Sequence, residues 1–233
     1  MLEVRGLEAG YGGATILFGV SLDVADGEAV ALLGRNGAGK STTLKTIAGW
    51  LKPSRGDIRL DGRRIDGAPS YRIARAGLGF VPEGRRIFSG LTVAQNLEVG
   101  RRDAHAGKPW TPQRLFLLFP ALAELRDRRG GQISGGEQQM LAIARTLMGN
   151  PTLLLLDEPG EGLAPLIVAQ LAEALREFKR SGLSILLAEQ SLVLADSVAD
   201  RACVLESGQV RYAGPYAEFA RDAKARAEYL GLE

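Results

Sequence analysis

The stretch that most constrains this chain is Gly34-Arg35-Asn36-Gly37-Ala38-Gly39-Lys40-Ser41. Four residues separate Gly34 from the Gly39-Lys40-Ser41 triplet, the spacing of a loop whose inward-facing backbone N–H groups cradle a phosphate. The flanks agree with that reading. Ala29–Leu33 is a short, continuous apolar run of the kind buried on both faces of a parallel sheet, and Gly34 ends it. From Lys40 to Leu51, residues Leu44, Ile47, Ala48 and Leu51 fall at helical spacing. Strand, glycine-rich loop and helix therefore follow one another, and the helix N-terminus adds a partial positive charge to the cradle. Lys40 is placed to reach two phosphates and Ser41 to hold a magnesium ion. Nucleotide contacts are expected from Gly34, Arg35, Asn36, Gly37, Ala38, Gly39, Lys40, Ser41 and Thr42.

A second run completes the chemistry that such a loop needs. Leu153–Leu156 is an apolar strand that delivers Asp157 and Glu158 at its C-terminal end, where open α/β sheets bind ligands. Asp157 suits a direct or water-mediated contact to Mg2+, and Glu158 suits a general base acting on water. Read alone, the pair could equally be two solvated acids before Pro159.

Around these motifs the pattern alternates between strand and helix. Ile16, Phe18, Val20, Leu22 and Val24 repeat every second residue, so a half-buried strand is expected with all five on one face. Asp26-Gly27 makes a turn before Ala29–Leu33, and Gly56–Gly62 reads as a further hairpin arm that, with residues 2–24, predicts a small antiparallel sheet beside the parallel core. From Glu83 to Met148 the pattern is helical, with a capping box beginning at Thr92 and Thr111-Pro112 as an N-cap before a proline. Beyond it Ser184–Ala188 is another buried-strand run, and Ile167, Leu171, Leu175 and Phe178 mark a helix between the two. We expect one woven unit over 1–233: a nucleotide-binding core with its antiparallel sheet over 1–82 and 149–233, and an inserted helical subdomain over 83–148.

Charge and composition remove several alternatives. With 29 Lys and Arg against 27 Asp and Glu, the net charge of +2 builds no field suited to nucleic acid. Arg85-Arg86 and Arg101-Arg102 are small basic clusters that read as wet surface. Cys203, the only cysteine, lies within the apolar run Arg201–Glu206, so no internal disulfide framework exists and the residue is expected in the core. His105, the only histidine, sits in a polar loop without a set of metal-ligand neighbours and is expected to be solvated. Phe116–Phe119 is a dense apolar cluster, expected mainly as subdomain core. No apolar run approaches the ~20 residues of a bilayer span.

The discriminating motif is Ile133-Ser-Gly-Gly-Glu-Gln-Gln139, opening a helix that carries Met140, Ile143, Ala144 and Leu147. Ser134 and Glu137 form a capping box, but a capped helix has no need of paired glycines, and close approach of backbone to an anion does. The phosphate loop, this serine-glycine-glycine signature and the Asp-Glu strand, in this order, resemble an ABC-transporter ATPase along nearly the whole chain. The resemblance implies an α/β fold, a P-loop NTPase (RecA-like) parallel-sheet core with a small antiparallel β subdomain and an inserted α-helical subdomain. It implies ATP and Mg2+ as the bound species. It also implies a head-to-tail pair in which Ser134, Gly135, Gly136 and Glu137 of one subunit cover the phosphate held by Lys40 of the other. Tyr11, in Ala9-Gly-Tyr-Gly-Gly13, would stack on adenine, although a turn aromatic would look the same in sequence.

Two departures narrow the resemblance. Glu83 stands where most members carry a glutamine that senses Mg2+ and the membrane partner, and Gln190 stands where most carry a switch histidine. Glu83 followed by Gly-Arg-Arg-Ile-Phe88, Ser134–Met140 and Glu-Gly-Leu-Ala-Pro165 are similar to branched-chain amino-acid importer ATPases of the LivF type. A glutamine donates an amide hydrogen bond but carries no proton, so Gln190 is expected to position phosphate rather than shuttle. It could equally only begin the helix that starts at Ser191, and Glu83 could be a surface acid. Gly160 replaces a usual serine or threonine, and Ala164 a usual acidic residue, at the loop between subunits. The same resemblance implies peripheral attachment to the cytoplasmic face of the inner membrane and work on integral permease subunits, with a substrate-binding protein acting indirectly. Either a homodimer or a heterodimer with a related ATPase fits. Urea or amide import, a non-transport ABC ATPase and a small-molecule kinase are the alternatives, and the last leaves Ser134–Glu137 unexplained.

Overall fold

The computed structural model describes residues 1–103 and 109–231, so the expectation for His105 lies outside the described residues. The strands are β1 (Leu2–Tyr11), β2 (Ala14–Val24), β3 (Ala29–Leu33), β4 (Arg55–Leu60), β5 (Arg63–Arg64), β6 (Leu78–Val81), β7 (Leu153–Asp157), β8 (Ser184–Glu189), β9 (Arg201–Glu206) and β10 (Gln209–Pro215). The helices are α1 (Lys40–Ile47), α2 (Ser70–Arg75), α3 (Val93–Gly100), α4 (Pro112–Leu118), α5 (Pro120–Glu124), α6 (Gly135–Leu147), α7 (Pro165–Arg180), α8 (Leu192–Val198), α9 (Tyr216–Arg221) and α10 (Ala223–Leu230).

Continuous apolar runs become the central strands of a six-stranded sheet, ordered β10-β9-β3-β8-β7-β6. Within it β3 is parallel to β8 and β9, and β7 is parallel to β6 and β8, while β10 closes one edge antiparallel to β9. The absence of polar alternation has a direct cause, since successive side chains enter two different cores. Val30, Leu32, Leu153, Leu155 and Leu186 pack with Leu44 and Ile47 of α1 and with the antiparallel sheet. Ala29, Leu154, Leu156, Ile185 and Leu187 pack instead with Leu141, Ile143, Leu171, Leu175 and Phe178 of α6 and α7. Each fully buried leucine among them stabilises the fold by about 1.5–3 kcal/mol.

The second sheet is antiparallel, ordered β2-β1-β4-β5. Here the strict alternation expected from Ile16 to Val24 fails at one residue. Leu17 is fully buried and Phe18 is 51% exposed, because Gly19, at φ +79, shifts the register between Leu7↔Val20 and Glu8↔Phe18. This is a β-bulge, and it puts Leu17 rather than Phe18 on the core face. The helix after the phosphate loop is also shorter than its apolar spacing suggests: α1 ends at Ile47, and Gly49 follows in a left-handed conformation at φ +72.

Among the described residues between β6 and β7 the chain builds α3 to α6 and a 3-10 turn at Gly130–Gln132. Thr92 and Ser134 both form complete capping boxes, and Thr111 caps α4 with Pro112 at its first turn. Leu115, Phe119 and Leu122 are buried in that region, whereas Leu117 projects with 83% of its surface exposed. Among the described residues, no helix is long and apolar enough to cross a membrane. The parallel strands end together. Leu33 lies opposite Glu189 and Asp157 opposite Ala188, so the loops after β3, β7 and β8 converge at one edge of the sheet.

Candidate functional site

The loop after β3 begins at Gly34, where the backbone takes φ +154 and a Cβ atom would lie 2.4 Å from the Leu205 carbonyl oxygen. Only glycine lets the loop pass so close to β9. The loop then turns into α1, whose N-cap Gly39 offers no side-chain cap. Amides at that helix end are consequently left for an anion. Lys40 is the first residue of α1 and is buried, with 3% of its surface exposed. Its Nζ donates to the Gly34 carbonyl at 2.8 Å and the Arg35 carbonyl at 3.2 Å, and it pairs with Glu158 Oε1 at 3.0 Å.

One residue on, Ser41 Oγ donates to Asp157 Oδ1 at 2.8 Å. Asp157 has no exposed surface, and its Oδ2 is buried without a hydrogen-bond partner. Burial is the main cause that raises its pKa above the ordinary aspartate value, against the lowering effect of the Ser41 hydrogen bond. A buried carboxylate oxygen with no donor beside a serine hydroxyl is a donor set that fits a hard divalent cation.

Glu158 stands at φ +46, a left-handed conformation that is uncommon away from glycine and costs on the order of 1–3 kcal/mol. Its amide donates to the Ala188 carbonyl at 2.9 Å, which ties the turn to β8. Three clefts meet at this residue, the third of them, about 490 Å³, shared with Glu83, Arg85, Arg86, Gln138 and Gln139. The first, about 410 Å³, is lined by Tyr11, Ile16, Asn36, Gly37, Gly39, Lys40, Ser41, Thr42, Glu83, Glu158 and Glu161. The second, about 360 Å³, is lined by Glu158, Gly160, Glu161, Val168, Glu189, Gln190, Ser191, Val193 and Leu194. Glu83 and Gln190 thus face Glu158 from different sides, and Ser191 does cap α8.

The expected nucleotide contacts do not all behave alike. Tyr11 is 48% exposed at the end of β1 and lines the first cleft with Asn36, Gly37, Gly39, Lys40, Ser41 and Thr42. Ala38 is buried in the core beneath the loop. Arg35 places its carbonyl on Lys40, but its guanidinium reaches the Ala227 and Glu228 carbonyls at 3.4 and 3.3 Å at the end of α10. The signature lies elsewhere. Ser134 Oγ accepts from the Glu137 amide, Glu137 Oε2 accepts from the Ser134 amide at 2.6 Å, and none of Ser134, Gly135, Gly136 and Glu137 lines the cleft around Lys40. The paired glycines also have neighbours in the chain itself: a Cβ on Gly135 would meet Arg85 Nη1 at 2.6 Å, and one on Gly136 would meet Ile167 at 3.1 Å.

These features match a known sequence pattern. The ABC transporter family profile matches residues 17–161, which is more than half of the chain. The chain belongs to the ABC transporter ATPase family. The cassette resembles the high-affinity branched-chain amino acid transport ATP-binding protein BraG of Pseudomonas aeruginosa, 43% identical over 99% of this chain and 100% of that one. It also resembles the lipopolysaccharide export system ATP-binding protein LptB of Acidithiobacillus ferridurans, 34% identical over 99% of this chain and 97% of that one. Among solved structures, a dimeric post-hydrolysis cassette, MJ0796 bound to ADP and Pi, superposes with a TM-score of 0.78 and 25% identity, covering 92% and 98% of the two chains. The P-loop NTPase fold and ATP hydrolysis expected from the motifs therefore hold for this ABC ATPase.

One polar residue of the site is not evident from the sequence motifs. Glu189 ends β8, is 5% exposed and accepts a hydrogen bond from the Gly160 amide at 3.4 Å. Burial is the main cause that pushes its carboxyl up to about 8. The available signal is a glutamate terminating an otherwise apolar run, a position where solvent would ordinarily be expected.

Proposed function

We propose that this ABC ATPase powers a branched-chain amino-acid importer, working as one of two cassettes against integral permease subunits on the cytoplasmic face of the membrane. The observation that carries the cargo reading is the 43% identity with BraG over essentially both full lengths, against 34% with the export ATPase LptB. A dimer is supported by the dimeric state of the solved MJ0796 cassette.

In this reading Tyr11 stacks on adenine and the loop Gly34–Thr42 wraps the phosphates, with Lys40 turning from Glu158 toward the β- and γ-oxygens. Exchange of a carboxylate partner for phosphate keeps the buried ammonium paired throughout, which avoids the large penalty of an isolated buried charge. Ser41 and Asp157 would hold Mg2+, with Glu83 nearby as the residue that senses it. The bound ion supplies charge neutralisation on the phosphate oxygens. Glu158, released by Lys40, accepts a proton from the attacking water, and Gln190 donates an amide hydrogen bond that orients the γ-phosphate. Ser134, Gly135, Gly136 and Glu137 of the second cassette would close over the same phosphate from the opposite side, adding helix-end amides to the developing charge.

The test is purification of the intact assembly from membranes and measurement of its ATP turnover in proteoliposomes. Stimulation by a leucine-loaded binding protein is expected. Stimulation by lipopolysaccharide or by urea-loaded binding protein instead, or none by any cargo, would reject the amino-acid reading.

A further inference from the structure

Glu158 is held in a strained backbone conformation, so something must over-determine the turn Glu158-Pro159-Gly160. Proline has no N–H, which leaves the turn two amides with which to anchor itself. Both are taken by consecutive residues at the end of β8. The Glu158 amide donates to the Ala188 carbonyl at 2.9 Å, and the Gly160 amide donates to Glu189 Oε1 at 3.4 Å. The second anchor is a side chain, and β8 supplies it from a fixed position, because Glu189 is paired in register with Leu33 just before the phosphate loop.

We propose that Glu189 is a positioning residue for hydrolysis, its carboxyl clamping the Gly160 amide so that the Glu158 carboxylate is directed at Lys40 and the phosphate cradle. The inference rests on Glu158 acting as the base. It adds a second carboxyl whose task is geometric and which touches neither phosphate nor water. The charged groups facing Glu189 are Lys40 from α1 and Glu158 and Glu161 from the turn after β7, while α7 and α8 present Val168, Val193 and Leu194. In that setting the carboxyl, pushed up to about 8, is mostly protonated at pH 7. Ionisation strengthens acceptance from the Gly160 amide but places a third negative charge against Glu158 and Glu161, and that charge repels the base from its position.

The experiment is steady-state ATP turnover of the purified full chain with Mg-ATP, from pH 6 to 9.5, for the parent and for Glu189→Gln, Glu189→Ala and Glu158→Gln. Glutamine keeps an acceptor oxygen but no ionisable proton. Glu189→Gln should hold kcat within about threefold of the parent at pH 7 and lose the parent's alkaline decline above pH 8. Glu189→Ala should lower kcat by about 10- to 100-fold with the KM for ATP almost unchanged, since the base is misplaced rather than the nucleotide. A Glu189→Ala protein that turns over like the parent, a Glu189→Gln protein as slow as Glu189→Ala, or an alkaline limb that survives in Glu189→Gln would each overturn the proposal. Should Glu189→Ala fail to fold, the pH profile of Glu189→Gln decides alone. Glu158→Gln separates the two claims: full turnover there removes the base assignment itself, whatever the Glu189 variants do.

Discussion

The phosphate cradle and the signature turn use the same local device, a glycine-rich entry into a helix, yet their surroundings are opposite. At the cradle, α1 begins without a side-chain cap, and the nearby charges are buried and cross-linked: Lys40 to Glu158, Ser41 to Asp157. At the signature, α6 begins with a complete capping box on an exposed turn, and its residues do not line the cleft around Lys40. The first helix end is therefore organised for an anion by its own chain. The second is organised for its own stability, and in the proposed dimer it would meet the phosphate held by the other cassette. Two consequences differ sharply, and variants can separate them.

The largest effect is expected at the cradle. In the proposed reading Lys40→Ala removes the charge-assisted contacts to phosphate, and it leaves Glu158 without its ion pair, so nucleotide affinity should fall about 100-fold and turnover should vanish. Calorimetric titration with ATP checks the first and phosphate release the second. Unchanged affinity would mean that the cleft around Lys40 is not where nucleotide binds.

Gly135→Asp tests the opposite end of the comparison. An acid in the first turn of α6 favours the helix dipole, and the Arg85 guanidinium that its Cβ would meet at 2.6 Å is the far end of a flexible side chain that can shift and pair with the new carboxylate, so the chain should fold and bind ATP with ordinary affinity. A phosphate brought against that turn by a second cassette would be repelled, and turnover should drop by roughly 100-fold. Nucleotide affinity falling in parallel in the isolated chain would show the signature acting within its own subunit and would break the contrast.

How legible this contrast is in the sequence depends on the range of the forces involved. The cradle is readable because Gly34, Gly39, Lys40 and Ser41 are neighbours in the chain and each is required by local geometry. The double burial of Ala29–Leu33 and Leu153–Leu156 is readable too, since no polar residue interrupts either run. Phe18 departs from its expected face because one positive-φ glycine, Gly19, bulges the strand beside it, and apolar periodicity carries no mark of a bulge. Glu189 and the Arg35 guanidinium are illegible for another reason. Their partners, Gly160 and the carbonyls of Ala227 and Glu228, lie 29, 192 and 193 residues away, and only the packed sheet brings them together.

A smaller effect concerns stability at the cradle rather than turnover. Glu189 has an ordinary value of 4.5 and about 8 in the folded chain. The folded state therefore holds a proton that the unfolded chain releases between those values. Its contribution is fully present below pH 4.5 and declines as pH rises toward 8, by at most on the order of 1 kcal/mol per pH unit. Glu189→Gln removes that decline, so its Tm advantage over the parent should widen from pH 5 to pH 8 and then level off. A constant difference across thermal melts at these pH values would place the carboxyl in solvent contact instead.

The smallest effect gives the cleanest control, because the chain supplies two capping boxes of one design. Thr92 caps α3 with Gln95, and Ser134 caps α6 with Glu137. Alanine at either position removes one hydroxyl acceptor from a helix end and should lower stability by about 1 kcal/mol, a Tm shift of roughly 2–4 °C. If α6 is only a well-capped helix, the two variants behave alike in every assay. If the signature turn closes on another cassette's phosphate, Ser134→Ala should also slow turnover several-fold, whereas Thr92→Ala should turn over at the parent's rate once the assay is run well below both melting points. Matching the thermal loss removes folding as an explanation, and what difference remains in kcat measures the contact that the turn makes beyond its own chain.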